Sequence, residues 1–265
     1  DVIKHREELK AMINELMGEK PDKDIPMVGF SRYQNAPMPK NMVQPRSRNK
    51  VAVIYASGSI MDGAGSENII GSAGMSKAIR EARRDSTVKA IVLRVNSPGG
   101  SAMASDVILR EARLAADTKP LIVSMGDVAA SGGYYISCAA HSIIANPTTL
   151  TGSIGVFGMV PNMQGFFNDK LGITFDNVKT NDLADLGSLS RPLNRTERAL
   201  IQEQIEQVYD TFTAHVATAR NMPVDMVDEL GQGRVWSGSD ARQNGLIDEF
   251  GGLAYAIKKA AEMAE

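Results

Sequence analysis

The chain has 265 residues, 43% of them hydrophobic, and 29 lysines and arginines against 31 aspartates and glutamates leave a formal net charge of −2. That is enough apolar chain to bury a substantial core in one α/β domain or two small ones. A charge so near neutral, without long basic runs, argues against nucleic acid as the main partner.

The opening, Asp1-Val2-Ile3-Lys4-His5-Arg6, has no signal-peptide architecture, and a start without methionine is expected of an excised fragment or a processed protein. Ile3, Leu9, Met12, Ile13 and Leu16 recur at broadly helical spacing, predicting a helix over 2–17 that docks on a neighbour. Pro26, Pro37, Pro39 and Pro45 then break any regular pattern, so 21–48 reads as a linker or extended arm. Residues 1–48 are accordingly set apart from a domain over 49–265. No apolar run is long enough to span a bilayer, so no membrane anchor is expected within the chain.

The domain begins with Lys50-Val51-Ala52-Val53-Ile54-Tyr55, a continuous apolar strand of the kind buried in parallel sheets. Residues 58–74, rich in glycine and serine, are expected to form a mobile loop, and 75–84 a basic helix. A strand over 90–95, a tight turn, a helix over 102–116, an apolar run at 120–124 and a helix opened at Ser131 follow. Residues 142–145 read as a strand, 151–156 as a turn and 173–178 as a returning strand. The single cysteine, Cys138, lies in an apolar stretch, cannot form an internal disulfide and reads as a small core residue, leaving the compartment open. Residues 182–192 lack a strong period and read as a flexible segment. Asn194 with Glu197 three residues on makes a capping box for a long amphipathic helix carrying Leu200, Ile201, Ile205, Val208, Phe212 and Val216. Helices over 224–230 and 254–264 complete the chain, with Trp236 read as a packing residue. Strands alternating with helices predict a right-handed α/β spiral with a mainly parallel sheet.

Two turns carry chemistry. Ser131 stands at a strand-to-helix turn, where a hydroxyl can rise above the sheet close to the unpaired N–H groups of a helix start. The simpler reading of the same residue is an N-cap, which serine serves well. Asn96-Ser97-Pro98-Gly99-Gly100-Ser101 follows the preceding strand, and its glycines expose backbone N–H groups ahead of the next helix. Successive strand–turn–helix units put both turns on the carboxyl edge of one parallel sheet, where open α/β folds keep their sites.

Val95-Asn96-Ser97-Pro98-Gly99-Gly100, Val128-Ala129-Ala130-Ser131-Gly132-Gly133-Tyr134-Tyr135 and Thr151-Gly152-Ser153-Ile154-Gly155-Val156 together resemble the signal peptide peptidase A family, the S49 serine proteases. So does a late block, Gly233-Arg234-Val235-Trp236-Ser237-Gly238 through Gly251-Gly252, so the resemblance runs from about Lys50 to the end. It implies the ClpP/crotonase-like fold, a spiral of repeated ββα units. It also implies Ser131 as nucleophile, with Gly132 and the Gly99-Gly100 turn as oxyanion donors, and Ser153 as the hydroxyl that helps hold a lysine base. A turn serine between glycines is an equal reading of Ser153.

In short-chain members that lysine follows an Ile-Thr-Phe-like strand, and the matching position here holds Ala184. Long members carry two tandem copies, lysine in the first and serine in the second; this chain resembles the second. The resemblance further implies peptide substrates such as signal peptides and a partnership with the lysine-bearing amino-terminal half. A homo-oligomer (a tetramer), no cofactor or metal, and a bacterial cell-envelope location on the periplasmic side of the inner membrane are implied as well.

A serine hydroxyl needs a base, and a lysine serves only when desolvation keeps it neutral. Lys170 and Lys179 lie near the expected position but read as solvated charges. Ser47-x-x-Lys50 and Ser86-x-x-Lys89 precede strands instead of opening helices. His5, His141 and His215 have no telling setting for a Ser-His-Asp triad. Two other readings stay open: a non-catalytic assembly or peptide-binding module, its serine idle without the base, and a crotonase-like acyl-CoA enzyme, which has no special use for Ser131.

Overall fold

The computed structural model describes residues 6–20, 23–25, 28–29, 32 and 48–265. The chain divides into two units, Asp1–Ser47 and Arg48–Glu265. In the first, helix α1 (Arg6–Leu16) ends as the Glu19 N–H returns to the Asn14 carbonyl at 2.8 Å, and Lys23 pairs with Glu19 at 2.6 Å. Residues 2–5 of the expected helix, and most of the expected linker over 21–48, lie outside the described residues.

The second unit opens with β1 (Lys50–Ser57), β2 (Ser59–Met61), β3 (Ile69–Gly71), α2 (Ser72–Arg84), β4 (Val88–Ser97), α3 (Ala102–Ala116) and β5 (Leu121–Ala130). It continues through α4 (Gly132–Tyr135), β6 (Ser142–Ala145), β7 (Leu150–Gly152), a π-helical turn (Phe166–Leu171), α5 (Arg195–Arg220) and α6 (Val224–Leu230). It closes with β8 (Val235–Ser237), α7 (Gly238–Gln243), β9 (Glu249–Phe250) and α8 (Leu253–Glu262). Strands β1, β4, β5, β6 and β9 lie side by side in that order, all parallel. The α/β class, with a mainly parallel sheet and alternating helices, is as the sequence predicts.

Side chains alternate across the sheet with the strand period of two. Ile91, Leu93 and Val95 of β4 join Val123 and Met125 of β5 in the cluster that holds Ile79 of α2 and Ile108 and Leu109 of α3. Ala90, Val92 and Ile122 join Ile144 with Ala256 and Ala260 of α8. Each large aliphatic so buried contributes roughly 1.5–3 kcal/mol against unfolding. The two helices on the first face are also tied by charge: the buried Glu111 of α3 receives Arg80 at 3.1 Å and Arg83 at 2.8 Å from α2.

Three elements depart from the sequence reading. Residues 58–74 are not a mobile loop: β2 and β3 pair in parallel and α2 begins at Ser72. The glycines there serve close backbone approach, since a Cβ on Gly71 would overlap the backbone of Gly63 and Ala64. Strand β5 runs to Ala130 instead of stopping near 124. Residues 173–178 form no strand; Ile173, Phe175 and Val178 are exposed, and a strand without a partner leaves its hydrogen bonds unmade. Among the described residues no helix is long and apolar enough to cross a membrane.

Candidate active site

Strand β5 places the site by pairing with two strands in succession. Its first half pairs with β6, and its last residues with β7, in the register Val128↔Leu150, Ala129↔Thr151 and Ala130↔Gly152. Between these halves the pairing with β4 slips, from Val95↔Met125 to Ser97↔Ala129. The Asn96 side chain takes up the displaced backbone, its Oδ1 accepting the Val128 N–H at 3.1 Å. Such a bulge re-aims the strand that follows it. What it re-aims here is the segment ending at Ser131.

Ser131 has φ 52 and ψ −119, and its side chain makes no capping hydrogen bond. The N-cap reading therefore fails: the backbone holds a sparsely populated conformation and the hydroxyl is left for something else. A non-glycine residue held this way costs about 1–3 kcal/mol, which the surroundings must impose. They do so from both sides. The Ser131 N–H donates to the Gly152 carbonyl at 2.9 Å, and the Ser131 carbonyl accepts the Tyr135 N–H at 2.9 Å. The helix that follows is the single turn α4.

The same register makes Ser131 and Ser153 the next residues along two paired strands. Ser153 also has positive φ, at 49, and its N–H donates to the Arg234 carbonyl at 2.7 Å. On the other side the Ser97–Ser101 turn folds against Ser131. A Cβ on Gly99, whose φ is 100, would lie 2.5 Å from the Gly132 nitrogen and 2.9 Å from the Ser131 Cβ. One on Gly132 would lie 3.2 Å from the Gly100 nitrogen. The Gly99 N–H is already engaged, donating to the Ser97 hydroxyl at 3.1 Å. Those of Gly100 and Gly132 have no partner among the described residues. Ser131, Ser153, Gly99, Gly100 and Gly132 thus converge at one edge of the sheet, while Ala184 is exposed in the turn region beyond it.

Ser131, Ser153, Gly99 and Gly100 line a cleft of about 880 Å3. Its far wall is one face of α5, with Gln202, Ile205, Glu206, Tyr209 and Asp210; of the apolar stripe read from the sequence only Ile205 is among them. The three-and-four spacing of these residues is the visible signal, but it does not tell which neighbour the face meets. Tyr209 donates to Asp228 at 2.6 Å and accepts the Gln232 N–H at 3.0 Å, fixing the loop behind Ser153. Burial raises its hydroxyl above the ordinary tyrosine range, aided by the Asp228 bond.

No lysine or histidine lines this cleft among the described residues. Lys179 is held in an ion pair with Asp185 at 2.7 Å. His141 Nδ1 accepts the Leu121 N–H at 3.1 Å, a backbone duty at the start of β5. His215 lies between Arg113 and Asp106. His5 is outside the described residues. Cys138 is fully buried, and burial pushes its thiol up to about 12, so it supplies no thiolate near neutral pH. No cluster of metal-ligating side chains occurs among the described residues.

A parallel α/β sheet that holds a strained serine at its carboxyl edge, beside two unpartnered amides, has the architecture of enzymes that keep their chemistry at that edge. Residues 113–265 match the model for peptidase family S49. The chain is 41% identical over 259 residues to Protease 4 of Haemophilus influenzae, covering 97% of this chain and 42% of that one. It is 46% identical over 216 residues to Protease 4 of Salmonella typhi, covering 81% and 35%. To the chloroplastic serine protease SPPA of Arabidopsis thaliana it is 39% identical over 267 residues, covering 99% and 39%. The chain belongs to peptidase family S49, and it spans about four-tenths of the length of these relatives.

Proposed function

We propose that this chain is the serine-bearing part of an endopeptidase that hydrolyses signal peptides or other unfolded apolar peptides through an acyl-enzyme. The observation that carries the reading is the strained, uncapped Ser131 at the cleft, with the turn that bears the Gly100 amide packed closely against it and the Gly132 amide next in the chain. Ser131 Oγ attacks the peptide carbonyl as its proton passes to a base. The Gly132 and Gly100 N–H groups hold the oxyanion, a donor set whose single members are typically worth about 10²–10³ in rate. Collapse of the tetrahedral intermediate breaks the C–N bond, the proton leaves with the amine, and water then releases the acid. Gly99 shapes the turn instead of donating, because its N–H already serves Ser97.

The base is a lysine donated by a separate lysine-bearing copy, which Ser153 helps to hold. Support for a donated base comes from Ala184 at the family's lysine position, from the ion-paired state of Lys179, and from the length of the relatives. An envelope location with a homo-oligomer sheltering the sites belongs to the same proposal.

The test is labelling by a fluorophosphonate, read by intact mass, on this chain alone and mixed with a lysine-bearing copy, with Ser131→Ala as control. Labelling at Ser131 confined to the mixture is expected. Labelling of the chain alone would return the base to this chain. No labelling in a mixture that assembles would leave a peptide-binding module, the reading otherwise favoured by the lysine-free cleft.

A further inference from the structure

Beside the main cleft, the space next to Ser131 continues into a smaller cavity of about 270 Å3, walled by Ser105, Tyr135, Val156, Phe157, Val208 and Phe212. A second cavity of about 300 Å3 lies against Met103, Asp106, Gln207 and Thr211. The two share Ala102, Tyr135 and Val208 and nothing else. Ala102 is short, so the partition between them consists of the Tyr135 ring and the Val208 side chain.

Tyr135 is fixed more firmly than packing alone requires. Its hydroxyl donates to Asp106 Oδ1 at 3.0 Å, and the same oxygen lies 3.2 Å from His215 Nε2. Arg113 donates to His215 Nδ1 at 2.8 Å, so Nδ1 is the acceptor and Nε2 carries the proton that goes to Asp106. The Tyr135 ring rests on Phe212 at a centroid distance of 4.6 Å and on the edge of His215 at 5.5 Å. Asp106 and Arg113 come from α3 and His215 and Phe212 from α5, so both helices hold one ring in place.

We infer that Tyr135 sets the depth of the subsite that receives the side chain preceding the scissile bond, with Asp106 and His215 as positioning residues that keep the ring across the passage to the second cavity. The inference rests on Ser131 being the nucleophile and deepens that reading. Side chains the length of leucine fit above the ring, and a longer planar one meets it. A hydrophobic pocket discriminates one or two methylenes by roughly 10–200-fold.

The test uses peptidyl diphenyl phosphonates bearing either a leucine or a tryptophan side chain at the reactive residue, on the chain assembled with its lysine-bearing copy. The readout is the ratio of second-order labelling rates at Ser131. The native ratio is expected to favour leucine by about 10-fold or more. Tyr135→Ala joins the two cavities and brings the ratio to about unity by speeding the tryptophan probe, whereas Tyr135→Phe keeps the ring and preserves the preference. Asp106→Ala, which frees the hydroxyl, shifts the ratio in the direction of Tyr135→Ala. Val208→Ala thins the same partition from α5 and gives the same direction of change should Tyr135→Ala fail to fold. A ratio unchanged in folded Tyr135→Ala or Val208→Ala, with Ser131 still labelled, overturns the inference and leaves the nucleophile standing. Absence of labelling by either probe in every assembled variant overturns both.

Discussion

At Ser131 and Ser153 the backbone stores strain in two residues whose side chains face one cleft. Neither conformation suits an L residue, and both are held by hydrogen bonds to neighbouring backbone, to the Gly152 carbonyl of β7 and to the Arg234 carbonyl just before β8. The turn opposite depends on having no side chain. Gly99→Ala would have to place a Cβ 2.5 Å from the Gly132 nitrogen at a φ of 100. That substitution is expected to destabilise the fold by about 1–3 kcal/mol and to displace the Gly132 amide. Urea denaturation measures the first effect. Labelling of Ser131 in the assembled mixture measures the second, and should fall much further than the stability loss accounts for. A variant that loses stability but labels at the native rate would show that the turn only supports the fold. The glycines and Ser131 were legible in the sequence as a motif. The strain was not, because φ and ψ at a strand end are set by the strands on either side.

Helix α5 shows what a local code can and cannot convey. Its capping box reads directly from Asn194 and Glu197: the Glu197 N–H donates to Asn194 Oδ1 at 2.9 Å and Glu197 Oε2 accepts the Asn194 N–H at 2.7 Å. Arg191 could not be read in the same way. Its guanidinium spans Glu197 at 2.8 Å and Asp185 at 2.7 Å, tying the segment that holds Ala184 to the start of the helix that walls the cleft. The Arg191 bonds, then the Asn194 N–H, hold the Glu197 carboxyl down at about 2 from 4.5, and Arg191 likewise lowers Asp185. A carboxylate with a depressed folded pKa contributes stability that is present above its unfolded value and lost as pH falls through the folded one. Native stability is therefore expected to decline between pH 4.5 and 2. Glu197→Gln should lower the melting temperature at neutral pH and flatten that decline; a parallel shift at every pH would contradict it. The helices over 102–116 and 224–230 and the strand over 142–145 were legible because periodicity and breakers coincide there. Strand β5 was cut short because its apolar run ends near Ser124, whereas the slip in pairing carries the strand through Gly126 and Asp127 to Ala130.

Over the whole second unit, burial is uneven in a way that bears on the proposed partner. The sheet core is closed, yet the segment after Ser153 leaves Phe157 at 90%, Met159 at 82% and Val178 fully exposed, all on chain with little regular structure. Exposed apolar side chains fit the contact surface that the proposed partner requires, since each costs free energy in water that a partner would remove. The expected strand over 173–178 belongs to the same argument. Its apolar residues carry a strand-like pattern, but no neighbour within the described residues completes a ladder. The pattern was legible and its partner was not, because a sequence encodes a face without naming what covers it. If the lysine-bearing copy seats here, Met159 is withdrawn from solvent on assembly. Dilute peroxide should then oxidise Met159 more slowly in the mixture than in the chain alone, read by peptide mass, with exposed Met263 at the end of α8, on the other face of the sheet, as internal reference. Equal protection of both methionines would indicate a general effect of crowding. Protection of Met159 alone would seat the partner against the segment that follows Ser153, as the proposed donation of the base requires.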